Sequence, residues 1–144
     1  MAKVIFYEKP GCINNTKQKT LLKAAGHQVI SQNLLTENWT VESLGLFFGD
    51  KPVSEWFNRT APQVKSGEVV PEKIDAETAL ELMVKEPLLI RRPLIQVSER
   101  REVGFDTKLV DSWIGLKPVA EDDLAISESL ISQDLQTCPN SHHK

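Results

Sequence analysis

Val4-Ile5-Phe6-Tyr7-Glu8-Lys9-Pro10-Gly11-Cys12-Ile13-Asn14-Asn15-Thr16 is the stretch that decides how this chain folds. Val4–Tyr7 is a run of four β-favouring residues that Pro10-Gly11 brings to a stop, which reads as a short buried strand. From Ile13 to Ala25 the apolar positions Ile13, Leu21, Leu22, Ala24 and Ala25 are interleaved with Lys17, Lys19 and Lys23. Gly26 then follows as a helix C′ glycine would, so a helix is predicted to begin at or just after Cys12. A second short strand around Gln28–Asn33 completes one strand–helix–strand unit.

Short helical pieces follow. Thr40 is placed to cap one, with Glu42 and Ser43 in its first turn and Leu44, Leu46, Phe47 and Phe48 apolar. Pro52–Phe57 reads as another turn or two, with Trp56 and Phe57 facing inward. Asp75 caps Ala76–Lys85, where Leu80, Met83 and Val84 share a face, and Pro87 lies beyond its end. Leu88–Ile90 and Leu94–Val97 are strand-like runs around Arg91-Arg92-Pro93, and Glu102–Phe105 is a third, with Glu99-Arg100-Arg101 suited to a hairpin turn. Asp106 or Thr107 then caps a helix over Lys108–Ile114, closed by Gly115. The order β-α-β, helical insertion, β-β-α joins a parallel crossover to a hairpin. It predicts an α/β chain with a mixed sheet in a thioredoxin-like fold.

A length of 144 residues argues for one domain, placed at 1–118. Residues 119–144 form an acidic, Ser-rich tail, predicted to be mostly flexible apart from a frayed helix over Leu124–Leu135. The net charge is −3; five acids against Lys144 give the tail −4, so the rest is about neutral and no nucleic-acid partner is indicated. No apolar run approaches the ~20 residues of a membrane span, and the start lacks the apolar stretch of a secretory signal. Two cysteines 126 positions apart do not make a disulfide framework. These features predict a cytoplasmic, reduced protein with no membrane partner and no metal. His142 and His143 read as solvated and His27 as structural.

Chemistry concentrates at Cys12. A cysteine in an arbitrary position is usually a small buried hydrophobe. Cys12 instead follows a buried strand and a breaker pair and opens a helix, where unpaired backbone N–H groups lower a thiol's pKa and Lys9 and Lys17 add positive potential. The same helix terminus suits an anion, with Asn14, Asn15 and Thr16 offering side-chain hydrogen bonds. A tetrahedral oxyanion facing the sulfur also needs fixed cations, and arginine supplies a planar fork that stays charged. The candidates are Arg59, Arg91 and Arg92, and Arg92 leads because Pro93 follows it at the start of an apolar strand.

With these residues in view, the chain resembles the glutaredoxin-coupled arsenate reductase family, which also includes Spx-type regulators. The resemblance is carried by Val4–Cys12, by Phe57-Asn58-Arg59-Thr60, by Pro87–Ile95 and by Val103-Gly104-Phe105, and it spans about residues 2–117. The stretch Glu8–Gln18 is most similar to the branch called nitrogenase-associated proteins. The resemblance implies Cys12 as nucleophile, Arg59 and Arg92 as oxyanion-binding arginines, and Pro93 as a cis proline facing Cys12, beside Gly11. It implies glutathione as a co-substrate, glutaredoxin as reductant, no bound cofactor, and in the nitrogenase-associated branch a protein partner in the nitrogenase system. Two features depart from the family pattern. Asp106, Thr107 and Lys108 stand where a third arginine is usual, and Thr16 stands where several members have an arginine. Cys12-Ile13-Asn14-Asn15 also lacks the Cys-x-x-Cys of Spx-type proteins, and Cys138 reaches Cys12 only if the tail folds back.

Overall fold

The computed structural model describes residues 2–119 and 129–130. A sheet of four strands runs β2-β1-β3-β4, with β1 Lys3–Glu8, β2 Gln28–Asn33, β3 Leu94–Val97 and β4 Arg100–Val103. β1 pairs with β2 in parallel, Lys3 opposite Gln28 through Glu8 opposite Asn33. It pairs with β3 antiparallel, Tyr7 opposite Leu94, and β3 pairs with β4 as a hairpin. The sheet is mixed because α1 (Ile13–Ala24) crosses over between the parallel pair while a tight turn joins the antiparallel pair.

Alternation along the strands divides the core. Val4, Phe6 and Ile95 join Leu21 and Leu22 of α1, Phe105, Val110 of α5 (Thr107–Trp113) and Leu116 on one face. Tyr7 and Leu94 face the other way, into a cluster with Trp39, Phe47, Trp56, Phe57 and Met83. That second cluster lies under the insertion, which contains α2 (Val41–Gly45), α3 (Pro62–Lys65) and α4 (Ala76–Lys85). Thr40 caps α2 through a reciprocal pair of bonds with Ser43, and Asp75 caps α4 by accepting from Thr78 N–H. His27 is structural: Ala2 N–H donates to its Nδ1 at 2.9 Å, and its Nε2 meets Gly115 O at 2.7 Å.

Two local expectations change, and the inward face of α1 is more polar than its apolar positions suggest. Leu88–Ile90 is not a strand; Pro87–Leu89 is a short 3-10 turn, and Ile90 makes a single bridge to Phe57. Arg100 and Arg101 belong to β4, not to the turn, because Ser98, at φ 54°, makes the reversal two residues earlier. In α1 the inward face carries Asn14, Asn15, Gln18, Leu21 and Leu22, while Ile13 points out at 52% exposure. The helix predicted over Leu124–Leu135 and the flexibility of 119–144 fall mainly outside the described residues. Within that segment, Val119 N–H bonds Ala24 O and Leu130 packs against the core on the α1 and α5 side.

Candidate functional site

β1 runs out at Glu8, and Lys9–Gly11 turns the chain so that Cys12 becomes the N-cap of α1. Gly11 adopts φ +84°, a conformation that costs a residue with a Cβ. Cys12 N–H donates to Lys9 O at 3.1 Å, closing the turn, and Asn15 N–H donates to Cys12 Sγ at 3.5 Å. A helix N–H aimed at sulfur favours thiolate over thiol. Cys12 is buried and disulfide-bonded in the structure, which corrects the expectation of a reduced protein, and the thiol chemistry below belongs to the form with that bond reduced. Cys138 lies outside the described residues.

Arg92 reaches the same edge of the sheet from the other side. The Arg92–Pro93 peptide is cis, as the resemblance implies. Leu94 is the last β3 residue paired with β1, opposite Tyr7, so Pro93 and Arg92 enter the sheet alongside the end of β1. Arg92 is only 3% exposed, yet its Nε and Nη1 are buried with no hydrogen-bond partner. Loss of hydration pushes its pKa down to about 10. Burial first, and then the nearby Arg92 charge, pull the Lys9 ammonium below its usual range as well. Two cations thus lie close enough to interact, one of them three residues before Cys12, and among the described residues no carboxylate pairs with the Arg92 guanidinium.

The remaining expected site residues take other partners. Asn15 is 1% exposed; its Oδ1 accepts from Lys9 N–H at 3.2 Å and its Nδ2 donates to Gln18 Oε1 at 2.9 Å. Thr16 Oγ1 donates to Cys12 O at 3.2 Å. Asn14 is buried on the inner face of α1. The side-chain donors expected of Asn15 and Thr16 therefore serve the loop and the helix. Arg59 is 50% exposed in its side chain and donates from Nη2 to Glu72 Oε2 at 2.6 Å and to Ser54 O at 2.9 Å. That hydrogen bond is the main reason the Glu72 carboxyl sits below its usual range. Asp106, in the region of the missing third arginine, caps α5 by accepting from Lys108 and Leu109 N–H. Among the described residues no group of three or more His, Cys, Asp or Glu could hold a metal, and no helix is long and apolar enough to cross a membrane.

Sequence reasoning passed over two features. Gln18 supports Asn15 from one turn further along α1, and the available signal was its i+3 spacing on the Leu21–Leu22 face. Arg91 packs its guanidinium against Gly104, which the apolar pattern does not announce.

The fold and site define a thioredoxin-like chain with an N-capping cysteine and a buried arginine before a cis proline. This chain belongs to the ArsC family, whose sequence model matches residues 7–112. It is 50% identical over 140 residues to an uncharacterized 15.7 kDa protein in the draG 3′ region of Rhodospirillum rubrum, covering 97% of this chain and 90% of that one. Among solved structures it resembles the arsenate reductase from Vibrio cholerae, with TM-score 0.64 and 17% identity over 80% of this chain and 98% of the other. An arsenate reductase (ArsC) related protein from Brucella melitensis gives TM-score 0.59 and 23% identity over 79% and 96%. At these identities the structural likeness establishes the fold.

Proposed function

We propose that this protein is a thiol-dependent oxidoreductase of ArsC type, in which reduced Cys12 attacks an oxyanion held by Arg92. The observation that carries this reading is Arg92, buried with no hydrogen-bond partner at Nε or Nη1, at the end of the sheet where Cys12 lies. A cation in that state lacks its counter-charge, and an anion docked there would supply it. Lys9 adds a second cation. With arsenate as oxyanion, Cys12 thiolate forms an S–As bond and one oxygen leaves as water. A glutathione thiolate then attacks the Cys12 sulfur. The S–S bond forms, the S–As bond breaks with its electron pair going to arsenic, and arsenite departs. Glutaredoxin or a second glutathione takes the glutathione sulfur and restores the thiol. The setting is a reducing cytoplasm, with no resident cofactor.

A second reading has its own observation. Arg59 is paired with Glu72, and Asp106 is a helix cap, so the cationic shell is thinner than the family resemblance implies. This favours an interaction protein that keeps the fold, with a protein partner in the nitrogenase system.

The test is turnover by reduced protein of arsenate, phosphate analogues and glutathione disulfide, with glutathione and glutaredoxin present. Wild type is expected to consume reductant with at least one acceptor, and Cys12→Ser to consume none. The Cys12 alkylation midpoint is expected below about 8.5, the free-cysteine value. Absence of turnover with every acceptor, together with a partner captured equally by Cys12→Ser, overturns the enzyme reading in favour of the second.

A further inference from the structure

α1 departs from the usual pattern of an inward helix face. Its first two turns bury Asn15 and Gln18, each 1% exposed, where aliphatic side chains would pack more cheaply. A buried amide is retained at a cost unless its hydrogen bonds do something specific. Here they form a directed chain. Gln18 Oε1 accepts from Asn15 Nδ2 at 2.9 Å, which orients the Asn15 amide. The Asn15 Oδ1 then accepts Lys9 N–H at 3.2 Å, reaching back across the turn to the residue whose carbonyl receives Cys12 N–H. The backbone N–H of the same Asn15 points at Cys12 Sγ. One residue therefore holds the loop before the helix with its side chain and the sulfur with its main chain.

We infer that the buried Asn15–Gln18 amide pair positions the Cys12 sulfur by tying the Lys9–Cys12 turn to the first two turns of α1. This rests on the reading of Cys12 as the reactive thiol. Asn15 and Gln18 are positioning residues; neither touches the reacting atoms through its side chain. Without Gln18 the Asn15 amide loses its fixed orientation, the turn loosens, and the N–H to sulfur bond is made for a smaller fraction of the time. The thiolate then loses stabilisation. Arg92, 3% exposed with Nε and Nη1 buried and unpartnered, lies close enough to Lys9 of this turn for the two charges to interact, and an anion drawn to that pair would lie near the sulfur.

The experiment is the pH profile of Cys12 alkylation in the reduced full chain, with Gln18→Met, Asn15→Ala and Leu21→Val compared to wild type. Gln18→Met conserves volume but removes the acceptor. Losing one buried hydrogen bond of ordinary strength is expected to raise the alkylation midpoint and to cut the rate at neutral pH about threefold to tenfold. Leu21→Val, on the same helix face, is expected to lower the melting temperature and leave the midpoint where it was. Amide exchange at Lys9 in the wild type supplies a reading that needs no variant: protection of at least about tenfold is expected for an N–H bonded to a buried amide. A midpoint unchanged in Gln18→Met and Asn15→Ala, or an unprotected Lys9 amide, overturns the positioning role. A wild-type midpoint at the free-cysteine value instead overturns the activated thiol itself, so the two failures are distinguishable.

Discussion

Arg92→Met is expected to raise the melting temperature and to abolish oxyanion binding in the same protein. The stability half follows from burial. Arg92 is 3% exposed, has no partner at Nε or Nη1, and burial pushes its pKa well below the usual arginine range, to about 10. A difference of that size disfavours the charged folded form by on the order of 3 kcal/mol. Methionine fills similar volume with no charge, and such replacements of buried charge have stabilised proteins by about 1–4 kcal/mol. For a chain of this length that is a rise of roughly 3–15 °C. The sign with pH is fixed by linkage. The folded value lies below the unfolded one, so wild type bears the full penalty below pH 10 and sheds it as pH rises from about 10 towards the ordinary arginine range. The gap between Met variant and wild type is therefore constant at neutral pH and narrows above pH 10. The binding half follows because a desolvated charge-assisted contact is worth about 2–5 kcal/mol, a loss of roughly 30-fold to several thousand-fold in affinity. Arg91→Ala, whose guanidinium bonds Glu55 O, is the control and should lose far less affinity. Thermal melts and anion titration of the two variants check both halves. If Arg92→Met is destabilised at neutral pH, the guanidinium has a partner in solution and the anion site is lost with it.

The parts of this molecule that were legible in the sequence are those written locally. The β1 run, its Pro10-Gly11 stop, the Gly26 helix end and the Asp75 and Asp106 caps each act within a few residues, and each appears where the pattern puts it. The mixed sheet follows from their order. The start of β3 directly after Pro93 was legible because proline can enter a strand only at a few kinds of position. What failed depended on distant partners. Leu88–Ile90 is an apolar run whose length and composition fit either strand or helix, and only its bridge to Phe57 decides it. Ile13 reads as a core residue by type, but satisfied hydrogen bonds allow Asn15 and Gln18 to take the inner face. The partner of Arg59 is equally illegible: Arg59 pairs with Glu72, thirteen residues on. An ion pair between two exposed side chains leaves no periodic trace.

Gly104→Ala is expected to cost more than any other substitution of a positive-φ glycine among the described residues, because two penalties coincide there. Gly104 has φ +82°, where a Cβ is disfavoured by about 1–2 kcal/mol. A Cβ built on it would also lie 2.8 Å from Arg91 Nη2 and 2.9 Å from Cζ, closer than such atoms approach. The Arg91 side chain is long, but it is not loose. Its Nη1 donates to Glu55 O at 3.2 Å and its backbone N–H donates to Trp56 O at 2.9 Å, so moving it disturbs the contact between the insertion and the sheet. Overpacking of this kind adds about 1–3 kcal/mol, for a total of roughly 2–5 kcal/mol. Gly67 is the comparison, with φ +84° and nothing within 4 Å of a built Cβ, so Gly67→Ala bears the backbone cost alone. Urea midpoints of the two variants separate the terms. The crowding term also predicts coupling: Arg91→Ala combined with Gly104→Ala should be less unstable than the sum of the single changes, since the first removes the atoms that the second meets. Additivity would mean that Arg91 swings aside freely. Arg92 follows Arg91 directly, so the same displacement is expected to weaken anion binding in Gly104→Ala, and the double variant should recover part of that loss along with its stability.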